Sequence, residues 1–436
     1  MIREADALRV VILAAGKGVR LLPLTENRSK HMIPVGGRPL VLHLIDAFIQ
    51  NGVKEFTIVV GYKGEIIKSY LSDGQNLGIT IKYVHQHKAL GTADAVGLVK
   101  DQIEESRFLL CYGDLYISPG AIRQMMSAFN DRSLEAAVSV VAVKNQNRYG
   151  LVQTEDGYVK DIIEKPKQPV PEGLANAGIY FFGKSIFDAV KATRRSIRGE
   201  YELTDSIMEI VRHGGRVGSI PIEPEYWLDI GAPWDLLDAN ERALKTLKPN
   251  RSGNTENTAV IEGSVILESG AKILSGARIE GPAYIGEGSI IGPNCYVRPY
   301  TSIGQNVRVG NGCELKNCII MKDTKIPHQS YIGDSIIGER CNVGAGTITG
   351  NLRLDHRSIR MRIKGKAIDS GRKKLGAVIG DDVSTGINVN LMPGVKIGSG
   401  AQIGPGVTLY RDLPTGVKVL RQTTVQKPKS RQARRI

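Results

Sequence analysis

The stretch 285–310, IGEGSIIGPNCYVRPYTSIGQNVRVG, carries an aliphatic residue every six positions, at Ile285, Ile291, Val297, Ile303 and Val309, with glycine directly after four of them. Working outward, the spacing holds from Ile261 through Leu267, Ile273 and Ile279, and on to Leu315 and Met321. A fixed internal period outranks local propensity, and an apolar hexad with frequent glycine is a β-helix signature. Each hexad forms one short side of a coil, its aliphatic residue points inward, and glycine relieves the corner. Three sides give a coil of about 18 residues. The register shifts to Ile326 and Ile332 and resumes as Ile379, Thr385, Leu391, Ile397, Ile403 and Leu409. Roughly six coils at the ~4.8 Å strand spacing predict a prism about 30 Å tall.

The whole chain has 436 residues, enough for two or three domains. Apolar residues make up 42% and charged residues 23%, which excludes disorder, collagen and coiled coil as global descriptions. Of the 50 glycines, 27 fall in the last 186 positions, so two differently built halves are expected. No apolar run approaches the ~18 residues of a spanning helix, and Met1 to Leu8 shows no signal pattern; a soluble, cytoplasmic protein is expected. Cys111, Cys295, Cys313, Cys318 and Cys341 lack paired-ligand spacing and read as reduced, buried thiols rather than zinc ligands or disulfides.

The net charge of +14 would suit nucleic acid, but its distribution argues otherwise. Seven of the basic residues fall in 418–436, a tail without acids that reads as disordered. Nine more lie in 353–374 against Asp355 and Asp369. No aromatic-studded RNA motif or helix-turn-helix accompanies either stretch, so small anionic ligands are preferred and nucleic acid is not expected as a partner.

In the first half, 9–15 (RVVILAA) is an apolar run of strand length, as in a parallel sheet covered on both faces, and it leads into Gly16-Lys17-Gly18-Val19-Arg20. Glycines after a strand let backbone amides approach an anion. Leu21 stands where a dinucleotide fold wants a third glycine, Pro23 and Pro34 keep the segment irregular, and no GKS or GKT follows for a P-loop. A helix opening at Pro39, a strand at 56–60, a helix at 66–71, and strands at 79–84, 108–111 and 137–143 describe an α/β domain with a mostly parallel sheet. The polar clusters at 16–20, 86–92 and 113–114 fall at strand C-termini, where ligands of such sheets sit.

GKGVRLLPLT (16–25), SKHMIPV (29–35), QHKALGTADAV (86–96), YGD (112–114), YGLV (149–152), IIEKP (162–166), LANAGIYFF (174–182), YELTD (201–205) and WLDIG (227–231) stand in the order seen in sugar-1-phosphate nucleotidylyltransferases, which residues 9–245 resemble. The resemblance implies a Rossmann-like nucleotidyltransferase fold and in-line attack of a sugar phosphate oxygen on the α-phosphorus of a nucleoside triphosphate. It makes Arg20 and Lys30 catalytic cations and Asp114 and Asp229 the ligands of Mg²⁺. Gly16, Gly18, Gln86, Gly91 and Thr92 would bind the nucleotide, and Gly150, Glu164, Lys165 and Asn176 the sugar phosphate. UTP and dTTP both remain open.

The hexad array resembles left-handed parallel β-helix acyltransferases, commonly trimers with sites between subunits. Arg298, Lys316, KIPHQSYIGDS (325–335) and CNVGAGTITGN (341–351) resemble the acetyltransferase half of the bifunctional enzymes of UDP-N-acetylglucosamine synthesis. That implies acetyl-CoA as co-substrate, glucosamine-1-phosphate or galactosamine-1-phosphate as acceptor, and a homotrimer or dimer of trimers. His328 is then the general base, a task that suits a group titrating near neutrality. Arg298, Lys316, Tyr331, Asn342 and Asn351 would contact the amino sugar, and Ala345 the acetyl-CoA. Arg357 and Arg360 stand where relatives more often use lysine. The expected boundaries are 1–245 for the nucleotidylyltransferase domain, 246–258 for a linker, 259–417 for the acetyltransferase domain and 418–436 for the tail. Two alternatives are a nucleotidylyltransferase whose β-helix is only scaffold or regulator, and a non-catalytic regulatory assembly protein.

Overall fold

The computed structural model describes residues 8–420 apart from 130, 132, 145, 167 and 169–172; side chains at 129 and 147 are also left aside. Residues 421–436, most of the expected tail, lie outside the described residues. The chain divides into two compact units, with the main boundary between Pro249 and Asn250.

The first unit is built on β1 (Arg9–Ala14), whose residues are almost all buried because helices cover both faces. It is followed by α1 (Leu40–Ile49), β2 (Glu55–Val60), α2 (Gly64–Leu71), β3 (Thr80–His85), α3 (Thr92–Gly97) and β4 (Arg107–Tyr112). Then come β5 (Leu115–Ile117), α4 (Pro119–Phe129), β6 (Ala136–Val141), β7 (Gly150–Glu155), β8 (Tyr158–Glu164) and β9 (Leu174–Gly183). The unit closes with α5 (Ser185–Ala192), α6 (Leu203–Arg212), β10 (Val217–Pro221), β11 (Trp227–Asp229) and α7 (Pro233–Thr246). Nine strands form one sheet in the order β3-β2-β1-β4-β9-β6-β10-β8-β7, and β5 pairs with β11 in a separate ribbon.

The sheet is mixed rather than mostly parallel. β3, β2, β1 and β4 run parallel, as expected. β9, however, is antiparallel to both β4 and β6, and β7 and β8 form a hairpin. The hairpin has a local cause: Asp156 and Gly157 take left-handed φ values of 51° and 83°, the turn that reverses a chain within two residues. Val10, Ile12, Phe48, Phe56 and Phe181 are among the core residues beneath one face; Val11, Phe108, Tyr180 and Phe182 are among those beneath the other.

The second unit is a stack of short parallel strands on three faces, two of them eight strands long. Eight coils, rather than six, make it about 34 Å tall at the ~4.8 Å spacing. The first strands, Asn250–Arg251 and Asn254–Thr255, already pair with Ile266–Leu267 and Lys272–Ile273, so coiling begins inside the segment read as linker. Most predicted inward positions are buried: Leu267, Ile273, Ile279, Ile285, Ile291, Val297, Ile303, Val309, Leu315, Ile326 and Ile332 are at most 1% exposed, whereas Ile261 and Leu409, near the two ends of the stack, are only partly buried. The register shift comes earlier than the sequence spacing suggested. Ile303 stacks on Ile320, not Met321, and Ile320 in turn on Ile337. A second interruption holds a hairpin, Arg360–Ile363 with Lys366–Asp369, inside the basic 353–374 stretch.

Glycine after the inward residue serves close approach rather than turning. A Cβ at Gly310 would fall 1.9 Å from the Pro327 carbonyl oxygen of the next coil. The left-handed corners use other glycines, among them Gly270, Gly288, Gly312 and Gly346, together with Asn294, Asn306 and Asn388, which tolerate positive φ. All five cysteines are buried and unpaired, as expected.

Thr349 interrupts the aliphatic column, and its Oγ1 accepts the Gly333 N–H at 2.9 Å. Thr349→Val adds apolar surface but strands that buried amide, which costs about 1–3 kcal/mol. We expect a lower unfolding midpoint for this variant in urea titration; a midpoint equal to or above the wild type would contradict the assignment.

Candidate active sites

The first candidate site is a cavity of about 450 Å³ at the C-terminal ends of the parallel strands. Arg20, Lys30, Gln86, Thr92, Asp114 and Asp229 line it, as do Gly16, Gly91, Gly150, Glu164, Lys165 and Asn176. Of the first-half residues singled out from sequence, only Gly18 is missing from the lining. Its φ of 63° shapes the loop, and its carbonyl accepts from Thr25 Oγ1 at 3.0 Å.

Two carboxylates meet here because their strands pair. Asp114 directly precedes β5, Asp229 ends β11 opposite Leu115, and Ile230 N–H donates to the Asp114 carbonyl at 3.0 Å. Burial pushes the Asp229 carboxyl up to about 6, with the Asp114 charge adding to the rise. Burial would also raise Asp114, but the Lys30 ammonium, which is paired with it, outweighs that and holds it below the ordinary carboxylate range. Arg20 converges on the same point: a Cβ on Gly231 would lie 2.9 Å from Arg20 Nη1 and 3.0 Å from Asp229 Oδ2. Beneath them His31 is buried, receives or gives a hydrogen bond at Ser29 Oγ (2.7 Å), and is pushed down to about 3 by burial and then by Lys30, so it stays neutral.

The loop 86–92 is held by backbone. Gly91 has a φ of 127° and packs so tightly on Tyr201 that a Cβ would lie 2.3 Å from its carbonyl oxygen. Gln86 Nε2 donates to Gly91 O at 3.1 Å and to Asp94 Oδ2 at 2.8 Å, which leaves Oε1 as its remaining acceptor. At the other end, β9 bulges between Asn176 and Tyr180, where Asn176 Oδ1 accepts from Gly178 N and Tyr180 Oη. A bulge re-aims side chains, and here it places Asn176 and Ala177 on the cavity wall. Gly150 leaves room for Glu164, whose Oε2 would lie 2.6 Å from an added Cβ. Lys165 sits at a left-handed φ of 45°, and burial, then Arg198, lowers its ammonium below the usual lysine range.

Sequence reading missed Arg148 and Arg198. Arg148 lines the cavity and is clamped by buried Asp235 at 2.7 Å, which also accepts from Gly231 N and Ala232 N. Arg198 reaches Glu164 at 3.5 Å and Glu202 at 3.3 Å. Arg148 directly precedes the YGLV element, so one further residue of that motif would have flagged it.

The second candidate site lies on the β-helix. Tyr331 faces outward from its strand, stacked on Glu314. Lys316 lies beside them and pairs with Asp334 at 3.2 Å. Asn351 Nδ2 donates to Tyr331 Oη at 3.1 Å and to Asp334 Oδ2 at 2.6 Å. Arg298 stands one coil below Lys316, paired with Glu314 at 3.0 Å. His328 is exposed at the preceding corner, its carbonyl bonded to Ser330 Oγ at 2.8 Å and to Gly346 N. Ala345 adjoins that contact one coil on, and exposed Asn342 bridges Lys325 and Ser384 on the neighbouring face. The structure thus gathers Lys316, Tyr331 and Asn351 through hydrogen bonds, whereas His328, Asn342 and Ala345 form a separate corner group. Arg357 and Arg360 are exposed, and Arg360 donates to Ala367 O at 2.9 Å.

Comparison with known proteins follows the same division. A nucleotidyl transferase family model matches residues 9–246, a GMPPB C-terminal domain model residues 279–392, and a bacterial transferase hexapeptide model, of six repeats, residues 376–411. The chain is 42% identical to the bifunctional protein GlmU of Methanocaldococcus jannaschii, over 94% of this chain and 97% of that one. It is also 42% identical to a bifunctional sugar-1-phosphate nucleotidylyltransferase/acetyltransferase of Sulfurisphaera tokodaii, over 94% and 99%. A crystal structure from Bacillus anthracis, described as a glucose-1-phosphate thymidylyltransferase, superposes with a TM-score of 0.51 at 30% identity, covering 56% of this chain and 98% of that one. The chain therefore belongs to the nucleotidyl transferase family, in the company of bifunctional proteins that carry hexapeptide repeats behind that domain.

Proposed function

We propose that the protein is a bifunctional enzyme of nucleotide-sugar synthesis, acting in the cytoplasm as a trimer or a dimer of trimers. The β-helix transfers acetyl from acetyl-CoA to glucosamine-1-phosphate or galactosamine-1-phosphate, and the α/β domain joins the sugar-1-phosphate to UTP or dTTP with release of pyrophosphate. The observation that carries this reading is the cavity in which Arg20, Lys30 and Lys165 face Asp114 and Asp229. Two polyanions that react with each other need such a set, because catalysis of this step is mainly positioning and charge neutralisation.

In nucleotidyl transfer the sugar phosphate oxygen forms a bond to the α-phosphorus as the bond to the pyrophosphate oxygen breaks. Arg20 and Lys30 neutralise the triphosphate, Lys165 holds the sugar phosphate, and Glu164 and Asn176 take sugar hydroxyls. The free Oε1 of Gln86 accepts from the N3–H that uracil and thymine carry and cytosine lacks. Asp114 and Asp229 would hold Mg²⁺. Among the described residues no group of three or more potential metal ligands gathers, but magnesium needs only one or two carboxylates when phosphates and water complete its shell. The two acids, one raised by burial and then by the other's charge, fit a cation between them; bound there, it would offset charge on the phosphates.

In acetyl transfer the sugar amine attacks the thioester carbonyl, the C–S bond breaks, and His328 removes the amine proton. Arg298 and Lys316 hold the phosphate, Tyr331, Asn342 and Asn351 the amino sugar, and Ala345 lies along the acetyl-CoA.

Separate sites predict separable losses. Asp114→Asn is expected to cut pyrophosphate release about 100-fold or more while leaving acetyl-CoA thiol release intact, and His328→Ala to cut thiol release about 10²–10⁴-fold while sparing pyrophosphate release. Loss of both activities by either change in a folded protein would refute independent sites. Thiol release that is silent with every amino-sugar phosphate would leave the β-helix as scaffold.

Asp229 adds a pH signature. Its folded value near 6 exceeds the unfolded ~3.9, so the native state binds more protons between those values and loses stability as pH rises through them. In metal-free buffer, Asp229→Asn should therefore stabilise the first unit above pH 6, by about 1–2 kcal/mol after allowance for partial exposure, and not at pH 4. Calorimetry at both pH values checks this; equal effects at pH 4 and pH 8 would contradict it.

A further inference from the structure

Asp334 is only 3% exposed, yet it lies at a corner of the outward face that carries Tyr331, in a left-handed φ of 49°. Its backbone completes the ladder, N–H to Lys316 O and C=O from Gly376 N. The ladder does not use its carboxylate. Oδ1 accepts from Asn317 Nδ2 at 2.8 Å, while Oδ2 accepts from Asn351 Nδ2 at 2.6 Å and Lys316 Nζ at 3.2 Å.

A carboxylate has no proton to give, so it dictates which end of the Asn351 amide faces it: the NH₂ end. The second N–H of that group donates to Tyr331 Oη. With both protons committed, the side chain of Asn351 offers a ligand only its carbonyl oxygen. Such a group accepts from an amine or a hydroxyl and cannot donate to a developing oxyanion. The same carboxylate draws the Lys316 ammonium to a fixed place one coil away, within reach of Asn351's neighbourhood.

We propose that Asp334 is a positioning residue of the acetyl-transfer site: it fixes Asn351 as an acceptor for the amino group of the sugar and Lys316 as the cation for its phosphate. The proposal rests on the reading of the β-helix as an acetyltransferase. Asp334 touches no substrate itself; it acts through the two side chains it holds, as supporting groups do for a preorganised site.

The test is steady-state thiol release with acetyl-CoA and glucosamine-1-phosphate. Asp334→Asn keeps the shape and one acceptor but loses the charge. We expect kcat to fall at least tenfold and KM for the sugar phosphate to rise at least fivefold, with KM for acetyl-CoA within twofold. Asn317→Ala removes an equally close partner of the same carboxylate on the side away from Asn351, and should leave kcat and both KM values within threefold. In an Asn351→Ala background, Asp334→Asn should cost less than threefold in further kcat, because the group it acts through is gone. Should Asp334→Asn fail to fold, Asp334→Glu, which retains the charge but shifts its oxygens, is read for the same KM and kcat changes. Unchanged kinetics in the folded variant, equal losses in Asn317→Ala, or losses that multiply in the double variant would each overturn the proposal. A wild type without thiol release on any amino-sugar phosphate would overturn the acetyltransferase reading itself, and the proposal with it; an active wild type beside an indifferent Asp334 variant would overturn the positioning role alone.

Discussion

In-register stacking of one coil on the next is the constraint on which the second unit depends. Every inward aliphatic residue sits above its counterpart, and the N–H of one coil meets the C=O of its neighbour. The stacking leaves no space at Gly310 for even a Cβ, and it compels outward residues to form columns: Tyr296, Glu314 and Tyr331 in one, Arg298 and Lys316 beside it. A site built on this frame is therefore a vertical array whose spacing the backbone sets. Departures from the period must fall where they spare the two continuous ladders. The shortened coil ending at Ile320 and the hairpin within 353–374 both do so, since Ile337 still stacks on Ile379 and Thr349 on Leu391.

The first unit meets a different constraint. Its parallel strands β1 to β4 deliver loops to one edge, but a loop cannot by itself hold like charges together. The β5–β11 ribbon does that, bringing Asp114 and Asp229 to neighbouring positions; burial and then the Asp114 charge raise the proton affinity of Asp229, while at Asp114 the Lys30 ammonium outweighs burial and lowers it. Lys30 and Arg20 offset part of the repulsion between the two acids.

The hexads made the β-helix legible because its period is strict; what the spacing could not locate was the step from Leu315 to Ile320, since Met321 satisfies the six-residue count and is buried as well. Parallel strands in the first half were legible as apolar runs, but β9, just as apolar, gives no sign of its direction. The Asp156-Gly157 turn was the one local signal of antiparallel pairing there. Motif order brought nearly all of the cavity lining into view. It could not show the pairing of Arg148 with Asp235, which is a contact between residues 87 positions apart.

Asp235 and Asp334 have in common that neither was singled out from the sequence by its own chemistry, and both are buried beside a cation they hold in place. A buried acid without such a partner would be costly, and a cation freed from it would return to solvent as a mobile charge. In a chain with net charge +14, cations are plentiful; what distinguishes a working site is which of them are fixed. Arg148 is fixed by a carboxylate that also takes two backbone N–H groups at the start of α7, so its direction is tied to the helix itself. Lys316 is fixed by a carboxylate whose backbone belongs to the ladder. In each case the rigid element orients the acid and the acid orients the cation.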